Sequence, residues 1–143
     1  MVRVCGLAIG LLLFTVAGFG EQQSPARPFP FMQEMEQPFR ELREQIKDPK
    51  QNTSSIDLIR RIEREALSAK NTIPPAIENL PPKQYEARLL AYRKLMLKLI
   101  REALLVEEHL LDGDNVKARA ALLAMIETRR VGHKSFTKSG PVD

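Results

Sequence analysis

The stretch from Asp112 to Lys138 constrains the fold most, because no proline interrupts a run rich in alanine, leucine, methionine, lysine and arginine. These residue types favour a helix, and Asp112-Gly113-Asp114 predicts a turn followed by a helix N-cap. The helix would have about six turns. At helical spacings of three and four residues, the apolar stripe of this helix that faces the interior includes His133 near its C-terminal end. The other members of that stripe are Ala118, Leu122, Met125, Ile126 and Arg129.

A first helix is predicted from Phe31 to Lys47, where apolar residues recur at spacings of three and four. A proline inside a helix removes one backbone hydrogen bond and clashes with the preceding turn. We therefore expect this helix either to kink at Pro38 or to start at Gln37. The apolar positions are Met32, Met35, Phe39, Leu42 and Ile46.

Two further helices are predicted between these runs. Ser54 or Ser55 can cap a second helix that ends near Asn71, with Ile56, Ile59, Ile62, Ala66 and Ala69 on its inner face. The proline-rich segment from Thr72 to Pro82 predicts an ordered loop or an extended crossing. A third helix from Lys83 to Leu111 carries a long apolar stripe. Leu104, Leu105 and Leu110 widen that stripe, as expected of a helix packed between two neighbours.

The predicted fold class is all-α, an up-down-up-down antiparallel four-helix bundle spanning residues 31–138. Short connections make sequence neighbours pack antiparallel, and no strand pattern competes. In this topology the first and fourth helices also lie side by side and antiparallel. We therefore expect Met32 and Met35 to approach His133, although about a hundred residues separate them in the sequence.

The first twenty residues predict a secretory signal peptide. Arg3 supplies a positive start, and the apolar run that follows is too short and too close to the N-terminus for a stable membrane span. We expect a mature chain that begins near Glu21, without a membrane anchor, exported to the periplasm. Residues 21–30 would form a flexible tether and residues 139–143 a tail. Cys5, the only cysteine, lies inside the signal, so the mature chain would have no disulfide.

The charge distribution argues against nucleic acid as a partner. Without Arg3, 21 basic and 18 acidic residues remain, and their signs alternate along the chain with no basic block. Phosphate binding needs positive charge concentrated on one face. No serine or cysteine lies in a nucleophile motif and no glycine-rich loop could hold a phosphate, so we expect the protein not to be an enzyme.

A methionine and a histidine at one end of a helical bundle could serve as axial ligands of a haem iron. With both axial positions filled by protein, such a haem transfers electrons rather than binding oxygen. The same residues have an ordinary structural interpretation, in which the methionines fill the core and His133 interacts with the helix dipole. The spacing alone leaves both interpretations open.

The chain resembles the cytochrome b562 family from about Phe31 to Lys138. The resemblance rests on the Met-x-x-Met start of the first helix, ALSAKNTIPP at residues 66–75, and GDNVKARA with ETRRVGHKSF between Gly113 and Phe136. It implies a soluble periplasmic electron-transport protein that binds one non-covalent haem b (heme b) and exchanges electrons with redox partner proteins.

The same resemblance implies the ligand set and the haem contacts. The histidine ligand to iron falls on His133 and the methionine ligand on Met32, with Met35 as the alternative sulfur ligand. Arg129, one turn before the histidine, would lie over the haem edge or pair with a propionate. Tyr92 and Met96 fall on third-helix positions that contact the haem.

Two alternatives stand beside the cytochrome hypothesis. The first is a haem-free periplasmic helical bundle that acts as a protein-binding module. The second is a divalent-metal site, either around His109 with Glu107 and Glu108 or formed by His109 with His133. The oligomeric state is open, because the apolar surface of the third helix is wide enough either to be buried within one bundle or to pair two chains.

Overall fold

The computed structural model describes residues 30–136, and the side chains from Gln33 onward. Within this range the chain is all-helical, which confirms the predicted fold class at the level of secondary structure. The expected signal peptide, the tether up to residue 29 and the tail lie outside the described residues. No helix in the described part is long and apolar enough to cross a membrane.

Four long helices account for most of the described chain, as the sequence predicts. A 3-10 turn at Pro49–Gln51 precedes the second, and a one-turn helix precedes the third. The α-helices are α1 Pro30–Gln45, α2 Asn52–Lys70, α3 Pro75–Glu78, α4 Pro82–Leu111 and α5 Asn115–Phe136.

Helix α1 passes through Pro38 without a break. The expected alternative, a helix that starts at Gln37, is therefore wrong. The proline ring is fully buried, and its packing against the core offsets the loss of one backbone hydrogen bond. Because the helix is continuous, Met32 and Met35 lie one turn apart near its N-terminal end.

The proline-rich segment between Thr72 and Pro82 is not wholly a loop or an extended crossing. Its middle forms the single turn α3, which starts at Pro75 after an extended Pro74. Proline suits the first position of a helix because the N–H it lacks has no partner there. Ile77 on this turn is fully buried, and burial of its side chain fixes the turn against the core.

The helix starts differ in how their backbone N–H groups are satisfied. Asp114 caps α5 through Oδ1, which accepts the backbone N–H of Lys117 at 3.0 Å. The preceding Gly113 has a φ of +71°, which glycine adopts without strain and which terminates α4.

The predicted caps Ser54 and Ser55 are wrong, because α2 already begins at Asn52.

Side-chain contacts between helices join residues in opposite chain order. At one end of α2 and α4, the Tyr92 hydroxyl donates to the Ala69 carbonyl oxygen at 2.8 Å. Toward the other end, Arg60 Nε binds Glu107 Oε1 at 2.5 Å. Close packing joins α1 with α2, α2 with α4, and α4 with α5. Helix α4 thus lies between two long neighbours.

The expected wide apolar face of α4 is narrower than predicted. Leu110 is buried, but Leu104 and Leu105 expose 50% and 45% of their surface. The two neighbours cover one stripe of α4 only, and side chains outside that stripe face solvent. The buried stripe of α4 consists of Tyr92, Met96, Leu99, Ile100, Ala103, Val106 and Leu110.

The hydrogen bond from the Tyr92 hydroxyl to the Ala69 carbonyl oxygen predicts that Tyr92→Phe lowers the stability of the fold. We expect the free energy of unfolding to fall by about 1 kcal/mol, the usual net value of such a bond, because the Ala69 carbonyl keeps the N–H of Thr72 as a second donor. Urea unfolding followed by circular dichroism measures the change. The control is Tyr85→Phe, since Tyr85 makes no side-chain hydrogen bond in the described range, and an equal loss in both variants contradicts the assignment.

Candidate functional site

A small cavity lies among α1, α4 and α5, at the end of the bundle where α5 terminates. Its volume is about 30 Å³, close to the volume that one water molecule occupies in the liquid. Most of its wall is apolar, and three polar residues of α5 contribute to it. The lining residues are Met35, Tyr92, Leu95, Met96, Leu99, Thr128, Arg129, Gly132, His133 and Phe136.

Five candidate residues from the sequence line this one cavity. Met35 reaches it from α1, Tyr92 and Met96 from α4, and Arg129 and His133 from α5. Met35, Tyr92 and Met96 are buried, and the two α5 residues are partly buried. The structure therefore brings together a thioether and an imidazole from opposite ends of the sequence.

Met32, the first choice for the sulfur ligand, lies within α1. Its side chain falls outside the described side chains, so its relation to the cavity stays a prediction. Of the two candidate sulfur ligands, Met35 is the one whose side chain is described, and it lines the same cavity as His133.

The surroundings of His133 favour its neutral form. Burial lowers the pKa of the imidazole below its ordinary value of 6.5, because the charged form loses hydration. The positive charge of Arg129 lowers the pKa further, and the negative charge of Glu36 opposes this effect. The Nε2 atom is buried from solvent. A neutral imidazole keeps a nitrogen lone pair, which metal coordination requires.

Arg129 joins α5 to α1 beside the cavity. Its guanidinium forms an ion pair with the Glu36 carboxylate and lies 5.1 Å from the centre of the Phe39 ring. Both partners belong to α1, so this side chain holds the two helices together at the cavity end. The predicted contact of Arg129 with a haem propionate stays a prediction.

Tyr92 and Phe136 form the aromatic part of the wall. Their ring centres are 5.3 Å apart and the rings meet edge to face at 74°. Burial raises the pKa of Tyr92 to about 12, so its hydroxyl stays protonated and serves as a hydrogen-bond donor. Arg88 covers the outer side of Phe136, with its guanidinium carbon 5.2 Å from the ring centre.

Sequence reasoning missed two small residues of the cavity wall. A Cβ at Gly132 would lie 2.8 Å from Leu95 Cδ2, so glycine lets α5 approach α4 closely here. The Thr128 hydroxyl is buried and has no hydrogen-bond partner within residues 33–136. Both positions continue the buried stripe of α5 at spacings of three and four, but neither residue is apolar enough to be counted in it.

A second and more open cleft, of about 150 Å³, lies between α1 and α5 toward their other ends. Arg43, Lys47 and Arg119 border it, and Ile46 and Leu122 form part of its floor. Lys47 Nζ forms an ion pair with Glu44 Oε2 at 2.6 Å. The cleft contains none of the candidate site residues from the sequence.

His109 lies far from the cavity. Its carbonyl accepts the N–H of Asp114, and Asn115 begins α5 there, about 27 Å along the helix axis from His133. The expected metal site formed by His109 with His133 is therefore wrong, because one ion cannot bridge that distance. No cluster of three or more acidic, histidine or cysteine side chains suited to a metal ion occurs in the described part of the chain.

Comparison with protein-family models and with curated proteins finds no match for this chain. The resemblance to the cytochrome b562 family accordingly stays a prediction from the sequence.

The lowered pKa of His133 predicts a pH dependence of stability. Since the unfolded chain binds a proton more readily at this position, the contribution is complete above the ordinary pKa of 6.5 and is lost as pH falls through the folded-state value. We expect His133→Gln to unfold with a weaker pH dependence than the parent between about pH 7 and pH 5. Urea midpoints at several pH values measure it. His109→Gln is the matched control, and a parental pH profile in His133→Gln contradicts the interpretation.

Proposed function

We propose that this chain is a periplasmic electron-transfer protein that binds one haem b non-covalently, with a methionine and His133 as axial ligands. The observation that carries the proposal is the convergence of Met35 and His133 on one apolar cavity, with Tyr92, Met96 and Arg129 in the same wall. A methionine ligand would raise the reduction potential of such a haem, and with both ligands supplied by the protein the iron would serve electron transfer.

We infer that the four long helices form the up-down-up-down bundle expected from the sequence. The pairs Tyr92 with Ala69 and Arg60 with Glu107 support an antiparallel α2 and α4. Glu36 with Arg129 at one end, and the Ile46 carbonyl with Asn115 at the other, support an antiparallel α1 and α5. The signal peptide predicted at residues 1–20 supports a periplasmic location.

The donor set fits a six-coordinate haem iron, but the space must grow. A thioether and a neutral imidazole are a known ligand pair for haem iron, and most of the remaining wall is apolar. The cavity of about 30 Å³ is far below the roughly 300 Å³ or more of a cofactor pocket. Binding therefore requires α1 to move away from α5. Helices α1 and α5 are not among the closely packed helix pairs. The ion pair between Glu36 and Arg129 crosses the boundary between them.

Each cavity residue has a physical role in this proposal. Burial keeps the His133 imidazole neutral and ready to donate its lone pair. Met35 supplies sulfur from α1, and Met32, one turn earlier, is the alternative. Tyr92 and Met96 present apolar surface and exclude water. Arg129 would exchange the Glu36 carboxylate for a propionate, which offers the same charge and geometry.

When bound, the haem iron supplies the capacity to gain and lose one electron. The chain contributes rigidity, since α4 and α5 pack closely and Gly132 admits the Leu95 side chain between them. A rigid and dry site limits the reorganisation that accompanies a change in charge. The redox partner proteins would approach the end of the bundle at which this cavity lies.

An absorption titration with haem tests the proposal. We expect the parent to give a low-spin spectrum in the oxidised and the reduced states at one haem per chain. His133→Ala should lose that spectrum and bind haem at least about tenfold more weakly, since a ligand bond and its orientation are lost. Met35→Leu should give a high-spin spectrum. If Met32→Leu becomes high-spin instead, the sulfur ligand is Met32.

Matched controls distinguish ligation from general damage. His109→Ala removes the other histidine of the chain, and Met125→Leu replaces a fully buried methionine of α5 that does not line the cavity. Both should keep the parental spectrum. Absence of a low-spin spectrum in the parent, or its survival in His133→Ala, overturns the proposal.

The second candidate function is a haem-free helical bundle that binds another protein. The observation in its favour is the set of leucines exposed on α4, including Leu97 and Leu104. It predicts a colourless protein whose folding and partner binding do not respond to haem. The same titration therefore separates the two candidates.

A further inference from the structure

A row of exposed leucines runs along α4 at a spacing of seven residues. Their exposed fractions lie between 49% and 62%, which is high for leucine, and the row is about 31 Å long. We call it the leucine stripe. It comprises Leu90, Leu97, Leu104 and Leu111.

We propose that the leucine stripe pairs with the stripe of a second copy of the chain, with the two α4 helices antiparallel across a two-fold axis. A seven-residue repeat is the spacing at which two helices stay in register along a seam. Burial of half-exposed leucines from both copies removes apolar surface from water. The proposal is independent of haem, because the cavity residues lie on another side of α4.

The charges that border the stripe indicate that its partner is a second copy of the chain, and they favour an antiparallel orientation of the two α4 helices. Three charged residues precede successive leucines by three positions and form one edge of the stripe: Lys94, Arg101 and Glu108. All three are exposed, and none takes part in an ion pair within residues 33–136. The edge is thus basic at one end and acidic at the other, and its charges form no ion pair with the described part of the chain.

An antiparallel pair makes this edge self-complementary. If Leu97 lies against Leu104 of the second copy, Leu90 lies against Leu111, and Lys94 comes beside Glu108 at both ends of the seam. Two-fold symmetry repeats each contact, which is the requirement for an interface between identical surfaces. The two Arg101 side chains meet near the axis and are the one like-charge contact.

A parallel pair would place this edge against the opposite edge of the second copy, on which Arg93 and Glu107 lie. Lys94 would then face Arg93 and Glu108 would face Glu107, and these like-charge contacts destabilise a seam. The seam is also narrow, because the edge positions are charged where a strong coiled coil has apolar residues. We therefore expect a reversible dimer whose population depends on protein and salt concentration.

Charge reversal tests both the partner and its direction. Sedimentation velocity over a range of concentrations gives the dimer dissociation constant. Lys94→Glu and Glu108→Lys should each weaken the dimer about tenfold at low salt, because each turns two attractive contacts into repulsive ones. The double variant should restore the parental constant. Arg40→Glu, an equal change of charge on α1, is the control and should leave it unaltered.

A second variant tests the apolar contact. Leu97→Lys with Leu104→Lys should abolish the dimer, while circular dichroism and the urea midpoint stay close to those of the parent, since both side chains are half exposed. A parent that is monomeric up to millimolar concentration overturns the proposal, as does a dimer that is indifferent to both leucine changes. If neither single charge reversal weakens the dimer, the antiparallel pairing is wrong.

Discussion

Burial of one stripe of α4 against α2 and α5 is the constraint on which the remaining structure depends. Small residues permit the close approach, since Ala103 on α4 and Ala66 and Ala69 on α2 are fully buried. Once that stripe faces inward, the helical period fixes every other side chain of α4. Tyr92 and Met96 then contribute to the cavity wall, and Leu97 and Leu104 face outward. The cavity wall and the leucine stripe both follow from this one orientation.

At the cavity end, burial and the charge of Arg129 both act on His133. Burying His133 costs hydration of its charged form and lowers its pKa, and the neighbouring Arg129 charge acts in the same direction. Arg129 is itself balanced by Glu36 on α1. Arg129 therefore helps to keep the imidazole neutral and, through Glu36, also joins α5 to α1. A ligand that carries its own carboxylates can replace Glu36 there without leaving the guanidinium unpaired.

The sequence predicted much of this arrangement, and its failures have physical causes. Period and composition located the four long helices, because each buries one continuous face. The expected antiparallel topology also predicted that Met35 approaches His133, and both residues line one cavity. The one-turn helix at Pro75–Glu78 was missed, since four residues show no periodicity and prolines favour a loop interpretation. Gly132 and Thr128 were missed because close helix approach depends on tertiary contacts. The exposure of Leu104 and Leu105 depends on how many helices surround α4, which residue pattern alone does not reveal.

The cavity and the leucine stripe occupy different sides of α4, and this separation bears on how the two proposals combine. Leu95 lines the cavity and Leu97 belongs to the stripe, two residues apart and thus about 200° around the helix. Pairing through the stripe would leave the boundary between α1 and α5 uncovered. Opening of that boundary would in turn leave the α4 seam in place, because α4 packs closely with α2 and α5 rather than with α1. Two copies could therefore associate while each cavity stays open to a ligand and to a redox partner, so cofactor binding and self-association need not be coupled.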